Sequence, residues 1–327
     1  MFKKIEIWVL YLSVVIFFLI IFLFGGILRH HYLGGGKFQL IQKSAKFIAE
    51  IPYNIKRIIL LAEDEGRYFL DESNRFVEKP NTTIHSKERA KGLLLLSRYD
   101  GDINKFIVEV LDLSNYKIIH SYIPKSKELV NAVKNIDEDQ FIKLRENMTY
   151  KRLFTWHPFL EEDGDIIFNS SSPLFKIDFC SNLVWSNYDH NYHHSIEIDH
   201  EGNYWIPSNL NPGRLDDEYF KSYEGDEGIS KISPEGKLIF EKSVTQILID
   251  NGYRHLLFSQ FRYSNDIIHM NDIQPVLTDG DFWKKGDLFL SLRNLSMVIL
   301  YRPSSNKIIK VLRSPFFSYQ HDVDIID

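Results

Sequence analysis

The chain has a single cysteine, Cys180. No disulfide can form within it, and a zinc site built on several thiolates lacks its ligands. Basic runs are missing as well: 39 Lys and Arg are scattered among 44 Asp and Glu. A surface that follows a phosphate backbone needs concentrated positive charge, so nucleic acid is not an expected partner. The glycine-rich phosphate loop, the G-x-G-x-x-G dinucleotide turn and the G-x-S-x-G nucleophile elbow are all absent. Nucleotide cofactors and serine-hydrolase chemistry lose their usual signatures with them, and no cofactor is expected.

Apolar and aromatic residues are plentiful. Ile7 to Leu28 carries no charge, and as a helix it is long enough to cross a bilayer core of about 30 Å. Residues 1–28 are read as an uncleaved membrane anchor. A cleaved signal peptide is the alternative, since Lys3 and Lys4 form a basic start, but the apolar run exceeds the usual signal core of about 7–15 residues. Lys3 and Lys4 on one side face Arg29 and Lys37 on the other, so charge counting gives little orientation. Arg29 to Lys37, with Gly34, Gly35 and Gly36, reads as a flexible joint. Helical spacing follows as far as Pro52, and a second short helix is expected over Ile55 to Leu61, so residues 29–62 form a linker with short helices.

Residues 63–327 read as strands and turns, broken by a helical insertion near 127–148 whose pattern runs from Lys127 to Arg145. Within them a unit recurs: a histidine, a glycine turn, then apolar strands. His85 leads through Gly92 into LLLLSRYD, and His157 through Gly164 into DIIFNS. His194 leads through Gly202 into NYWIPS, and His269 through Gly280 and Gly286 into DLFLSLRN. A fifth start, Gln320-His321-Asp322, stands at the end of the chain. Units spaced roughly 40 to 75 residues apart, each with several short strands, predict an all-β fold, a β-propeller that is incomplete at its C-terminus. In that architecture the first strand of each blade lines the central channel, so His194, His269 and His321 are expected to converge. In Tyr192–Pro207 alternation predicts a hairpin, with Ser195–Ile198 as one strand and a turn at Glu201-Gly202-Asn203. A one-residue slip would turn His193 rather than His194 inward. Glu197, Asp199 and His200 read as strand and solvated turn residues.

The ordered set HH, HMND, SLRN and QHD, carried by HHSIEIDHEGNYWIPS, IIHMNDIQPVLTDG, GDLFLSLRN and QHDVDIID, resembles the arylsulfotransferase family of six-bladed propellers. The likeness covers roughly Leu153 to Asp327. It implies transfer of a sulfuryl group from a phenolic sulfate ester to a phenolic acceptor through a sulfated histidine, without a nucleotide sulfate donor. Carried over by position, His321 matches the nucleophile, and His194, His269 and Arg293 match the residues around the sulfuryl group. Asp322 or Asp324 would orient the ring. The resemblance also puts the body outside the cytoplasm, in the periplasm, with the membrane reached only through the N-terminal helix.

The residue types suit that chemistry on their own account. A neutral imidazole is a competent nucleophile near neutral pH, and a guanidinium offers forked donors to sulfuryl oxygens. Two other readings compete. One is a non-catalytic, membrane-anchored propeller that binds a ligand or partner at its channel face; the other is a metal site made by His193, His194, His269 and His321. The aromatic residues Trp156, Trp185, Trp205 and Trp283 are expected to pack between blades, with one or two left to line an aryl pocket.

Overall fold

The computed structural model describes residues 6–32, 39–63, 90–103, 105–133, 153–170, 173–210, 213, 226–258, 266–313, 315 and 318–325. Two helices belong to one compact unit and all the sheets to another. Helix α1, Ile7–Tyr32, is apolar all round, and its side chains stand exposed from Ile7 to Leu23 almost without interruption. Its stretch Ile7–His30 is long and apolar enough to cross a membrane. The helix continues through Arg29, His30 and His31, where a joint was expected. Helix α2, Gln39–Glu63, is one element rather than two, because it runs through Pro52. The proline forfeits one backbone hydrogen bond, yet the apolar period continues past it from Leu40, Phe47, Ile48 and Ile51 to Ile55. Gln42 and Ala45 lie on another face, which is buried, and Gln42 Nε2 is 2.7 Å from His30 Nδ1.

The second unit is all-β, a propeller of antiparallel meander blades. Its first sheet holds β1 (Leu93–Asp100), β2 (Lys105–Asp112) and β3 (Lys117–Tyr122). The second holds β4 (Trp156–Leu160), β5 (Ile166–Asn169), β6 (Leu174–Ile177) and β7 (Leu183–Asn187), in that order. In the third, β8 (Asn191–Tyr192) and β9 (Glu197–Ile198) both pair with β10 (Tyr204–Leu210), which leads to β11 (Asp226–Ile232) and β12 (Leu238–Ser243). The fourth runs β13 (Met270–Pro275), β14 (Leu288–Leu292), β15 (Met297–Arg302) and β16 (Lys307–Leu312). All neighbouring strands are antiparallel, as short connections between sequential strands require.

Glycines at positive φ, Gly92, Gly164, Gly202 and Gly286, stand just before β1, β5, β10 and β14, which is why the repeat is visible in the sequence. The expected strand Ser195–Ile198 is shorter, since pairing stops between Tyr192 and Glu197. The expected helix from Lys127 is α3, Ser126–Ala132; residues 134–150 and His85 lie outside the described residues. Helix α4, Val244–Asp250, follows β12 and is capped by Ser243, whose Oγ accepts the Gln246 N–H at 3.0 Å.

Period-two alternation lets one sheet serve two cores. Ile166 and Phe168 pack with Val108, Val110 and Tyr122 of the first sheet and with Leu129 of α3. Ile167 and Leu174 pack with Tyr192, Tyr204, Ile206 and Ile232 of the third. Polar links reinforce the second junction. Trp185 Nε1 donates to the Pro234 carbonyl at 3.0 Å, and Asn187 Nδ2 donates to that of Gly236 at 2.9 Å. A Cβ on Gly236, at φ 79°, would lie 2.5 Å from Trp185 Cδ2, whereas one on Gly202, at φ 84°, meets nothing within 4 Å. Gly202→Ala therefore costs only the left-handed backbone, about 1–2 kcal/mol. Gly236→Ala adds an overpacked contact of about 1–3 kcal/mol more. Urea titration of both variants is expected to give the larger loss at Gly236, and equal losses would refute tight packing between these blades.

Candidate active site

Three successive blades start on a histidine in the left-handed backbone region: His157 (φ 44°), His194 (φ 58°) and His269 (φ 48°). A residue with a Cβ holds that conformation only where its surroundings impose it. The strand ladder breaks at each place. Register shifts fall between Trp156 and Phe159 and between Met270 and Asp272, and the third blade has the gap between β8 and β9. Tyr319, two residues before His321, is also left-handed (φ 52°).

These turns bring four rings together. The His194 ring centroid lies 6.0 Å from that of His157, 5.2 Å from that of His269 and 6.0 Å from that of His321. The His193 ring also lies 5.2 Å from that of His194, behind the group, with its Nε2 3.3 Å from Glu227 Oε1 and its backbone N–H donating to the Pro207 carbonyl at 3.0 Å. His157 is a member of this group to which the sequence resemblance gave no role. Its signal was its place at the head of a repeat.

Each turn is held from a neighbouring strand. Asn169 Nδ2, on β5, donates to the His194 carbonyl at 2.8 Å. Glu227 Oε1, on β11, accepts the Met270 N–H at 3.0 Å, one residue after His269. The His269 carbonyl accepts the Arg293 N–H at 3.1 Å, and Asp266 bonds its Nδ1. Around His321, Gln320 Nε2 donates to the Met297 carbonyl at 2.9 Å, and Asp272 Oδ2 accepts the Val323 N–H at 3.1 Å. Arg293 stands beside His269 through that backbone bond. Its Nη1 donates to Asn294 Oδ1 at 2.9 Å, its guanidinium carbon sits 5.0 Å from the Tyr319 ring centroid, and its Nε is buried without a hydrogen-bond partner.

Burial, followed by its histidine neighbours, pushes His194 down to about 4, so its imidazole is neutral near pH 7. The protein packed around His157 lowers it also, against the pull of Asp322, although the residue keeps an exposed edge. Burial drives His193 well below its usual range and Glu227 well above, so the two face each other as a neutral pair rather than a salt bridge.

Carboxyl groups gather beside the rings. Glu197 is pushed up to about 8, by burial first and then by Asp272, Asp322 and Asp324. Asp272 is pushed up to about 7 by burial and Asp322, against the Ser195 hydroxyl and the Val323 N–H. Glu197 was expected to be an ordinary strand residue, and its surroundings come from other blades. Asp199 corrects a second expectation: it is 7% exposed, not solvated. Its Oδ2 accepts Trp205 Nε1 at 3.0 Å and Lys231 Nζ at 2.8 Å, and its Oδ1 accepts the Glu201 and Asn203 N–H groups at 2.9 and 3.0 Å, which closes the turn. His200 is exposed.

Among the described residues, only Glu161, Asp163 and Asp165 bring metal-ligating atoms within 4.8 Å of one another, and the Lys176 ammonium already pairs with Glu161 and Asp165. The histidine rings do not converge in that way. Beside the carboxyl group a cleft of about 460 Å³ is lined by Trp283, Phe289, Val298 and Leu312, with Asp322 and Asp324 at its edge. Trp205 is buried, and Trp156 is 40% exposed.

No curated protein matches the chain. Among solved structures, a streptogramin B lyase aligns with 68% of this chain and 52% of its own, at 12% identity and a TM-score of 0.36. The Cps50 (Swd1) β-propeller domain of Myceliophteria thermophila aligns with 65% and 58%, at 10% identity and a TM-score of 0.36. A virginiamycin B lyase of Staphylococcus aureus aligns with 68% and 75%, at 11% identity and a TM-score of 0.30. The chain thus spans about half the length of the lyase named first, 52%. The family model for arylsulfotransferase (ASST) matches residues 157–327, which takes in all four clustered histidines and Arg293. The chain belongs to the arylsulfotransferase family.

Proposed function

We propose that the chain transfers a sulfuryl group from a phenolic sulfate ester to a phenol through a sulfated histidine, with no nucleotide donor. The observation that carries this reading is the convergence of His157, His269 and His321 on His194, with Arg293 bonded to the His269 turn. His321, exposed like His157, is the member that the family resemblance matches to the nucleophile, and it takes that role. Its free ring nitrogen attacks sulfur; the N–S bond forms as the bond from sulfur to the aryl oxygen breaks, and the departing phenolate takes up a proton. An acceptor phenol then gives up a proton and attacks the same sulfur, which restores the imidazole. Protons balance over the two half-reactions, and the kinetics are ping-pong. His194 and His269 donate to the sulfuryl and aryl oxygens, and the buried, unpaired Arg293 Nε is a ready donor for growing negative charge.

In this reading α1 anchors the protein in the membrane, supported by the length of Ile7–His30 and the uncharged run Ile7–Leu28 within it. The sheets lie on the non-cytoplasmic side, an orientation that rests on the family resemblance.

Incubation with an aryl sulfate donor and a phenol acceptor is expected to sulfate the acceptor, with parallel initial-rate lines. His321→Ala should abolish transfer and His200→Ala leave it intact; transfer that survives in His321→Ala removes the assignment. Arg293→Ala should lower kcat by about 10²–10³, the usual effect of deleting one charge-stabilising donor. An unchanged kcat would exclude Arg293 from the transition state. The full chain should stay with membranes through an alkaline wash, and protease added to sealed inside-out vesicles should leave the sheets intact. Release by the wash contradicts the anchor, and digestion contradicts the orientation.

A further inference from the structure

The turn that carries His321 is tied to the fourth blade by uncharged groups at Gln320, which bonds Asn271, Ser291 and Met297, and by one carboxyl group at Val323. Asp272, on β13, is 1% exposed. Its Oδ2 accepts the Val323 N–H at 3.1 Å, a donor shared with Asp322 Oδ1 at the same distance, and its Oδ1 is buried without a hydrogen bond. Two further carboxyl groups face it, Glu197 from β9 and Asp322 from the segment after His321, and Asp324 adds its charge at Glu197. The Ser195 hydroxyl is its uncharged polar neighbour, and Gln320, the residue before His321, is held by the uncharged Ser291 and Met297. No cation offsets the group among these neighbours.

We propose that Asp272 is a positioning residue for His321, holding the Gln320–Val323 turn in place while its carboxyl is protonated and loosening it on ionisation. The inference rests on the sulfotransfer reading for its purpose, though not for its geometry. Two effects oppose one another. The Val323 N–H favours the ionised form, whereas burial and the facing Asp322 carboxylate disfavour it, and the second pair wins because the group settles at about 7. A carboxyl group raised from 3.8 to about 7 favours the docked turn at low pH. That contribution falls as pH rises through this window and is gone above it, at up to about tenfold in the docking equilibrium per pH unit.

The test is hydrogen–deuterium exchange of the C-terminal peptide in the full chain, without donor, corrected for the intrinsic rate, from about pH 5 to 8. Protection of the Val323 region should be high at the acid end and fall by up to about tenfold per pH unit toward neutrality. Asp272→Asn keeps an acceptor for the Val323 N–H and presents an amide to Asp322, so it should retain protection and lose most of the pH step. Asp272→Ala should lose protection at every pH. Flat protection in the parent chain, or a full pH step retained in Asp272→Asn, overturns the proposal. In turnover, Asp272→Asn should move the alkaline limb of kcat upward with KM little changed; an unmoved limb also counts against a positioning role. Because exchange is read without substrate, the expected pattern in a chain that sulfates nothing leaves the docking role standing and removes the enzymatic reading. Sulfation by a chain whose exchange is flat does the reverse.

Discussion

Hydrogen bonds from neighbouring strands to the inner-rim turns are what the rest of the site depends on. Asn169 bonds the His194 carbonyl, Glu227 the Met270 N–H and Asp272 the Val323 N–H, each reaching to a turn that begins a later unit. A histidine at positive φ is not a conformation that the residue adopts unaided. The turns at His194 and His269 are each bound from outside their own strand, and the turn at His321 is tied in the same way. Ring convergence is thus a property of packed blades, and loosening one junction should disturb a ring on the next.

The same packing sets the charge of the site. His194 and His193 are neutral because burial first, and then the neighbouring histidines, make a positive charge costly. Glu197, Asp272 and Glu227 are raised for the corresponding reason. The result is neutral imidazoles beside carboxyl groups that hold protons near pH 7. In a transfer that returns every proton it borrows, such groups need no net exchange with solvent.

Much of this was legible in the sequence, and the reasons differ by residue. Gly92, Gly164, Gly202 and Gly286 mark the repeat because a positive φ favours glycine, and the histidine ahead of each gives the phase. Alternation in Ile166–Asn169 gives two buried faces. Alternation says which side of a strand a residue faces and nothing of what covers it, so Glu197 read as an ordinary strand residue and Asp199 as a solvated turn residue. Their surroundings include Asp272 and Asp322 in one case and Lys231 and Trp205 in the other, partners that strand alternation does not reveal. Helix α2 shows a different limit: a proline suggests an end, yet the helix runs through Pro52 at the loss of one backbone hydrogen bond.

The central claim is that the inner-rim histidines form one nucleophilic site with His321 as its reacting member. Peptide mass spectrometry under mildly alkaline conditions, after brief exposure to an aryl sulfate without acceptor, addresses it directly. The account predicts one added sulfuryl group on the peptide carrying His321, located on that ring and discharged when a phenol is supplied. A sulfuryl group on His194 or His269 instead, or acceptor sulfation with no histidine adduct at any time, would contradict it.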